Sequence, residues 1–227
     1  MIVLFDADSL VYSSCCNVEN IEEAISKFDE IFMSIANILE DNYDIKEYIL
    51  FNNSRGNFRK VLDKNYKANR NKNNLPPLLN ELHEKISILY DTKKTYGMET
   101  DDIVAQYWYK LSKDIGRENV LIISIDKDYK QLPALIYNYH YKHKCIYDIS
   151  KEQALYNFYE QMVIGDSSDN VNYCKGYGKA YAKKLFINCK SNYQFTKKTY
   201  ELFTKIYKSK AKLKYIQCYN LLRLRFE

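Results

Sequence analysis

The chain has 227 residues, enough for one domain, or one with a small appendage, and for a full buried core. Its formal net charge is +5 but unevenly carried: from Lys179 onward 13 lysines and arginines face two acids, which suits a polyanionic partner. Six scattered cysteines without a C-x-x-C pair argue against a zinc knuckle or a disulfide framework, and no apolar run can cross a membrane. The opening M-I-V-L-F-D-A-D reads as a strand, its apolar run being too short for a signal peptide and without a basic start, so a soluble, cytoplasmic monomer without membrane contact is expected. The abundance of Lys, Tyr and Asn means that the position of the lysines carries more information than their number.

Ile2 to Phe5 is apolar at every position, the pattern of a strand buried on both faces of a parallel sheet. Asp6 and Asp8 follow at its carboxyl end, where open α/β sheets place ligands, although an acid there also serves as a turn or helix cap. Ile21 to Leu39 has apolar residues at helical spacing. Tyr48 to Phe51 reads as a second buried strand, followed by the loop Asn52-Asn53-Ser54-Arg55-Gly56. Arg59-Lys60 and the run from Tyr66 through Lys67 and Arg70 to Lys72 form a basic, aromatic-containing stretch. It suits a loop or mobile helix that tracks phosphates and stacks a base, or equally a solvated linker. Pro76-Pro77 opens a helix to about Tyr90.

Glu99, Asp101 and Asp102 begin the next helix. Its dipole favours acids, but three in four residues repel one another unless a cation neutralises them. Val120 to Ile125 is another buried strand and ends in Asp126-Lys127-Asp128. Ile136 to Asp148 reads as a hairpin and Lys151 to Val163 as a helix. Between Gly165 and Lys184, Asp166 and Asp169 are spaced to converge on a hard cation such as Mg²⁺. Gly176 and Gly178 allow a tight turn and close approach of another backbone, with Lys179, Lys183 and Lys184 on the helix that follows. An Asp-rich loop and a glycine cap would look the same. Tyr193 to Phe226 reads as two basic amphipathic helices.

Each acidic cluster has an ordinary explanation, but their joint pattern does not. Two buried strands end in acids, a helix begins with acids, and a further pair precedes a glycine turn. Along one edge of a parallel sheet such a set needs divalent metal, and two ions form the clamp used for phosphodiester hydrolysis. The motifs F-D-A-D-S-L-V-Y, F-R-K with Y-K-A-N-R, G-M-E-T-D-D, S-I-D-K-D-Y-K-Q-L, and G-D-S-S-D-N with K-G-Y-G-K-A-Y-A occur in this order from Ile2 to about Leu185. In this order they resemble the 5′-nucleases: phage 5′-3′ exonucleases, the 5′-nuclease domain of bacterial DNA polymerase I, and flap endonucleases.

The resemblance implies an α/β, PIN-like or resolvase-like core with a central, mostly parallel sheet flanked by helices. The core would span residues 1–163, with a helical arch or clamp at about 55–90. Residues 164–227 would hold a helix-two-turn-helix element and basic helices. It implies Asp6, Glu99, Asp101, Asp126, Asp128, Asp166 and Asp169 as metal ligands, with Asp102 in or near the ligand shell. Lys67 and Arg70 would contact the scissile phosphate, and Tyr66 would stack on a terminal base. Lys175, Gly176, Gly178, Lys179, Lys183 and Lys184 would grip the duplex backbone, with K⁺ at the turn. Two Mg²⁺ ions, replaceable by Mn²⁺, would serve cleavage of DNA at 5′ ends and flaps by a stand-alone replication nuclease of the phage type. RNA–DNA hybrids are an alternative substrate, and a catalytically weakened structure-specific DNA-binding protein is the rival class. The chain departs from the family pattern at Asn52, where Asp is usual, so one metal position is expected to lose a charge; Tyr177 and Tyr181 also differ. The compact stretch from Asn69 to Leu78 leaves a closed arch and an open clamp as alternatives.

Overall fold

A computed structural model describes residues 1–70 and 75–226. Five strands form one sheet: β1 (Ile2–Asp6), β2 (Glu47–Phe51), β3 (Val120–Ile123), β4 (Leu135–Asn138) and β5 (Cys145–Asp148), in the order β2-β1-β3-β4-β5. The first four are parallel, and β5 closes an antiparallel hairpin with β4. The apolar run in β1 pairs with β2 on one side and β3 on the other, with Phe5 opposite Leu50 and Ile123. The chain leaves β1 for β2 and returns to β3 across β1, so the strand order reverses there. Open α/β sheets hold their ligands in the crevice at such a switch point.

Side chains alternate between the two faces of the sheet. Val3, Phe5, Leu121 and Ile123 face α1 (Asp8–Ser14), α2 (Ile21–Glu40) and a helix over Leu79–Leu89. Leu4, Val120 and Ile122 face a helix over Thr100–Ile115 and the side chains of Leu224 and Phe226. In chain order the helices after α2 are α3 (Phe58–Leu62), α4 (Leu79–Leu89), α5 (Thr100–Ile115), α6 (Lys151–Ile164), α7 (Lys179–Leu185), α8 (Asn192–Tyr207) and α9 (Ala211–Leu222). Local signals fix their starts: the Asn20 side chain accepts from the Glu23 amide at α2, and capping boxes pair Ser150 with Gln153 and Ser191 with Gln194.

A second core joins α6 to α7, α8 and α9 through Phe158, Met162, Phe195, Phe203 and Leu221, and it also takes in Tyr66. The division expected after residue 163 therefore falls in the last turn of a helix that helps build this second core. Gly165 ends α6 at φ +78°, and a side chain there would meet the Val171 carbonyl oxygen at 2.4 Å. Only glycine lets the following Asp166–Val171 bridge close. Among the described residues, the segment expected as an arch contains α3, turns over residues 64–69, and α4. Residues 71–74, part of the stretch on which arch or clamp was to be decided, lie outside the described residues.

Candidate active site

The acids assemble at the carboxyl edge of β1 and β3. Asp6, the last residue of β1, accepts from the Tyr129 hydroxyl at 2.8 Å and from the Asp8 amide at 3.3 Å. Asp8 ties the loop after β2 to α5, accepting from the Asn53 amide and the Thr100 hydroxyl. Asp126 follows β3 and caps a short 3₁₀ turn by accepting from the Asp128 amide at 2.9 Å. The side-chain amide of Gln161, on α6, donates to both Asp128 and Asp166 at 2.9 Å. Asp166 also accepts from the Ser168 amide at 2.8 Å and lies 2.7 Å from the Lys127 ammonium.

The opposite wall comes from the basic stretch. The Tyr66 hydroxyl lies 2.9 Å from Glu99 and 2.8 Å from Asp169, which share its one proton. Lys67 pairs with Glu99 and lies 3.5 Å from Asp169, and Arg70 donates to Asp169 at 3.1 Å. Lys67 occupies the left-handed backbone region at φ +55°, held by the hydrogen bond its backbone N–H donates to the Asp169 carbonyl oxygen. Such conformations persist where the surroundings over-determine them, often at functional sites.

Burial and crowding work against ionisation here. Burial, then the charge of Asp8, lifts Asp6 to about 8. Burial and the neighbouring Asp126 and Asp166 charges lift Asp128 to about 8. Burial and the Asp102 and Glu99 charges raise Asp101 far above the ordinary range, and its buried Oδ1 has no hydrogen-bond partner. Burial also raises Asp126. Burial works to raise Asp166 as well, yet the hydrogen bonds of Lys127 and Ser168 outweigh it and hold the carboxyl at about 2. For Glu99 too, Lys67 and Arg59 overcome burial and lower its pKa. The residues thus fall into acids already matched by side-chain cations and acids that lack one.

As arranged, no three acid, histidine or cysteine side chains among the described residues enclose an ion. The donor set nevertheless fits hard divalent cations. It is all oxygen, several of its carboxyls are driven toward the neutral form by burial and then by neighbouring acids, and Asp101 keeps a buried oxygen without a donor. Concave surface surrounds the cluster. A cavity of about 400 Å³ is lined by Glu99, Lys67, Arg70 and Asp8, and one of about 700 Å³ joins Asp166 and Lys127 to Gly178 and Lys179. A cavity of about 500 Å³ beside Trp108 touches none of the carboxylates.

Three expectations need correction. Asp102 is not available to a metal: it is fully buried and its two oxygens accept from Arg59, the Glu99 amide and the Arg225 amide. Tyr66 cannot stack on a base, because its ring is 3% exposed in the second core and its hydroxyl faces the acids. Asn52 ends β2 at the same edge but turns from the cluster toward α4. Its amide donates to the His83 carbonyl at 2.9 Å and to the Ser87 hydroxyl at 3.1 Å. Lys175, Gly176, Gly178, Lys179, Lys183 and Lys184 all lie exposed around the turn into α7, with Gly176 at φ +92°. Arg59, Lys127, Tyr129, Gln131 and Gln161 had not been singled out as site residues. Lys127 was signalled by its place between two acids, and Arg59 by its place in the motif F-R-K.

A family model described as 5′-3′ exonuclease, N-terminal resolvase-like domain, matches residues 1–160. A 5′-3′ exonuclease of Buchnera aphidicola subsp. Schizaphis graminum is 30% identical over 224 residues, covering 88% of this chain and 76% of the relative. One from Mycoplasmopsis pulmonis is 27% identical over 177 residues, covering 70% and 57%. The chain therefore belongs to the 5′-3′ exonuclease family. Its fold is similar to the bacteriophage T5 flap endonuclease in a complex with DNA and metal ions. The TM-score is 0.71 at 16% identity, over 99% of this chain and 89% of that one. It is also similar to the T5 5′-exonuclease with divalent zinc bound, with a TM-score of 0.66 at 14% identity over 98% and 99%. The expected α/β sheet architecture is present.

Proposed function

We propose that this protein hydrolyses phosphodiester bonds at the 5′ ends of DNA, exonucleolytically and at 5′ flaps, with divalent metal. The observation that carries this is the carboxylate cluster at the β1/β3 switch point, in a chain of the 5′-3′ exonuclease family. Asp6, Asp101, Glu99, Asp126, Asp128, Asp166 and Asp169 are the residues that would hold the ions. Mg²⁺, with Mn²⁺ as substitute, suits their oxygens. Bound divalent cations supply an activated water at neutral pH and stabilisation of the leaving oxygen.

The chain's own residues do the rest. Asp6 and Asp126 hold the edge of the sheet, and Lys127 and Lys67 balance Asp166, Glu99 and Asp169 until other cations take over. Released from these carboxylates, Lys67 is placed to offset negative charge on a phosphate in the cavity it lines, with Arg70 beside it at the mouth. The exposed turn at Gly176–Gly178 and the lysines of α7 suit a duplex backbone, since the cavity at Asp166 reaches Lys179. This placement fits cleavage near a duplex end.

The test offers a 5′-labelled flap, a nicked duplex and an RNA–DNA hybrid, each with Mg²⁺ or EDTA and with or without K⁺. Release of short 5′ products from the DNA substrates only with Mg²⁺ is expected. Cleavage of the hybrid alone would make the protein a remover of RNA primers. Binding of the flap without any cleavage would make it a DNA-binding protein. K⁺ that tightens duplex binding without changing the cleavage step would place it at the α7 turn.

A further inference from the structure

Residues 221–225 each give one backbone group to a buried side chain. The Leu221 and Arg223 carbonyls accept from Arg59 at 3.0 and 2.8 Å, and the Leu222 carbonyl accepts from Gln131 at 2.9 Å. The Leu224 amide donates to Gln131 at 3.3 Å and the Arg225 amide to Asp102 at 2.9 Å. This strap lies behind the carboxylates. Gln131 passes its hold forward: its Nε2 donates to Gln161 Oε1 at 2.8 Å, and Gln161 Nε2 donates to Asp128 Oδ1 and Asp166 Oδ2.

A primary amide has two N–H donors and one carbonyl acceptor. Both amides here use all of them, so each has a single orientation. Reversing Gln161 would aim its carbonyl at two carboxylates. The amide is neutral, in contrast to Lys127 on the same Asp166: it sets the spacing of two acids without consuming the negative charge that a cation needs. Without such a donor, neighbouring carboxylates repel and turn apart.

We infer that Gln161, itself held by Gln131 and the strap 221–225, is a positioning residue that fixes Asp128 and Asp166 for a divalent cation. This rests on the metal-dependent nuclease function proposed above. Residues that orient ligands in this way are worth roughly 10–100-fold in metal affinity.

The test uses the full chain with Gln161→Met, Gln131→Met and both together. Methionine keeps length and apolar burial while removing the amide. Calorimetric titration with Mn²⁺ in the absence of DNA is the main readout. Flap binding in EDTA, thermal melting and the Mg²⁺ midpoint of cleavage accompany it. Gln161→Met is expected to weaken Mn²⁺ binding roughly 10–100-fold while leaving flap binding in EDTA unchanged, with cleavage recovering at high Mg²⁺. Gln131→Met should weaken Mn²⁺ binding less, and the double variant should match Gln161→Met, because Gln131 acts through it. Unchanged Mn²⁺ affinity in folded Gln161→Met, or losses that multiply in the double variant, overturn the inference. If Gln161→Met does not fold, Gln131→Met alone decides, and an unchanged Mn²⁺ affinity there overturns it equally. A wild-type protein that binds no Mn²⁺ and cleaves nothing removes the proposed function as well. One that binds and cleaves, with variants that behave alike, removes only the role of Gln161.

Discussion

Arg59 and Asp102 meet in a two-pronged pair, 2.6 and 2.8 Å apart, with both side chains shut off from solvent. Asp102 opens α5 and Arg59 sits in α3, so the pair fixes the basic stretch against the helix that carries Glu99 and Asp101. Removing one partner leaves a buried charge uncompensated, which costs about 3–5 kcal/mol. Arg59→Met is therefore expected to lower stability by that amount in urea unfolding, and Asp102→Asn by less, because Arg59 keeps its 3.0 Å pair with Glu99. The double variant should recover part of the loss. Asp166→Asn, in contrast, should abolish cleavage and leave flap binding near wild type, with a smaller loss of stability, because its cation Lys127 is exposed and stays solvated when the charge is removed. Loss of stability in Asp166→Asn equal to that in Asp102→Asn would remove this distinction.

Tyr66→Phe keeps the ring in the second core and deletes only the hydroxyl shared by Glu99 and Asp169. Losing the donor shared by buried Asp169 and half-buried Glu99 is expected to cost about 1–3 kcal/mol of stability. Affinity for a 5′ single-stranded end should not change, because the ring has no exposed face. A tenfold loss of affinity for that end in Tyr66→Phe would show that the hydroxyl reaches the substrate.

Asn52→Asp is expected to leave the Mg²⁺ midpoint of cleavage unchanged, since the side chain faces His83 and Ser87. A carboxylate would meet the His83 carbonyl oxygen where an N–H now donates, at a cost of about 1–3 kcal/mol. Burial lowers the His83 pKa below its ordinary 6.5 in the wild type, and an aspartate beside the ring would raise it above 6.5. A raised pKa in the folded state gives stability that is present below 6.5 and lost as pH rises. The variant's deficit should therefore be smaller at about pH 6 than at about pH 8, measured by urea unfolding at both. A lowered Mg²⁺ midpoint would instead return Asn52 to the metal site.

The metal-free protein should become less stable as pH rises from about 5 to about 8. Asp6 and Asp128, at about 8 in the fold and 3.8 ordinarily, retain protons that the unfolded chain has released. Their contribution is complete below the ordinary value and lost as pH climbs through the folded one. Asp166 acts in the opposite sense, but its window between about 2 and 3.8 lies below this range. His83 adds stability as pH rises toward 6.5, one group against Asp6 and Asp128 and the likewise raised Asp101 and Asp126. Binding of Mg²⁺ should release protons and raise the Tm more at about pH 8 than at about pH 6. Melting in EDTA and in Mg²⁺ across this range, with calorimetry in buffers of different ionisation enthalpy, measures both effects. A metal-free Tm that rises with pH would contradict the burial of these acids.

The strands and their terminal acids were legible because Ile2–Phe5 and Val120–Ile123 are apolar without interruption, a pattern a buried parallel strand requires. Parallel register then brings Asp6 and Asp126 to one edge. Hidden in the sequence were the partners of the acids. Arg59 is 43 residues from Asp102, and Tyr66 is 103 from Asp169, distances at which no periodicity speaks. Tyr66 stands among lysines and asparagines and so looks exposed, yet the second core covers it. Asn52 was placed at the correct edge, but its direction follows from α4, whose His83 and Ser87 take up its polar atoms.

Arg59 reaches the Leu221 carbonyl across 162 residues of chain. Closing so long a loop delays the contact relative to those made within the sheet. In a nascent chain that has emerged only as far as α8, Arg59 and Gln131 still lack the carbonyls they bind. The carboxylate site is thus completed only once residues 221–225 are free to fold.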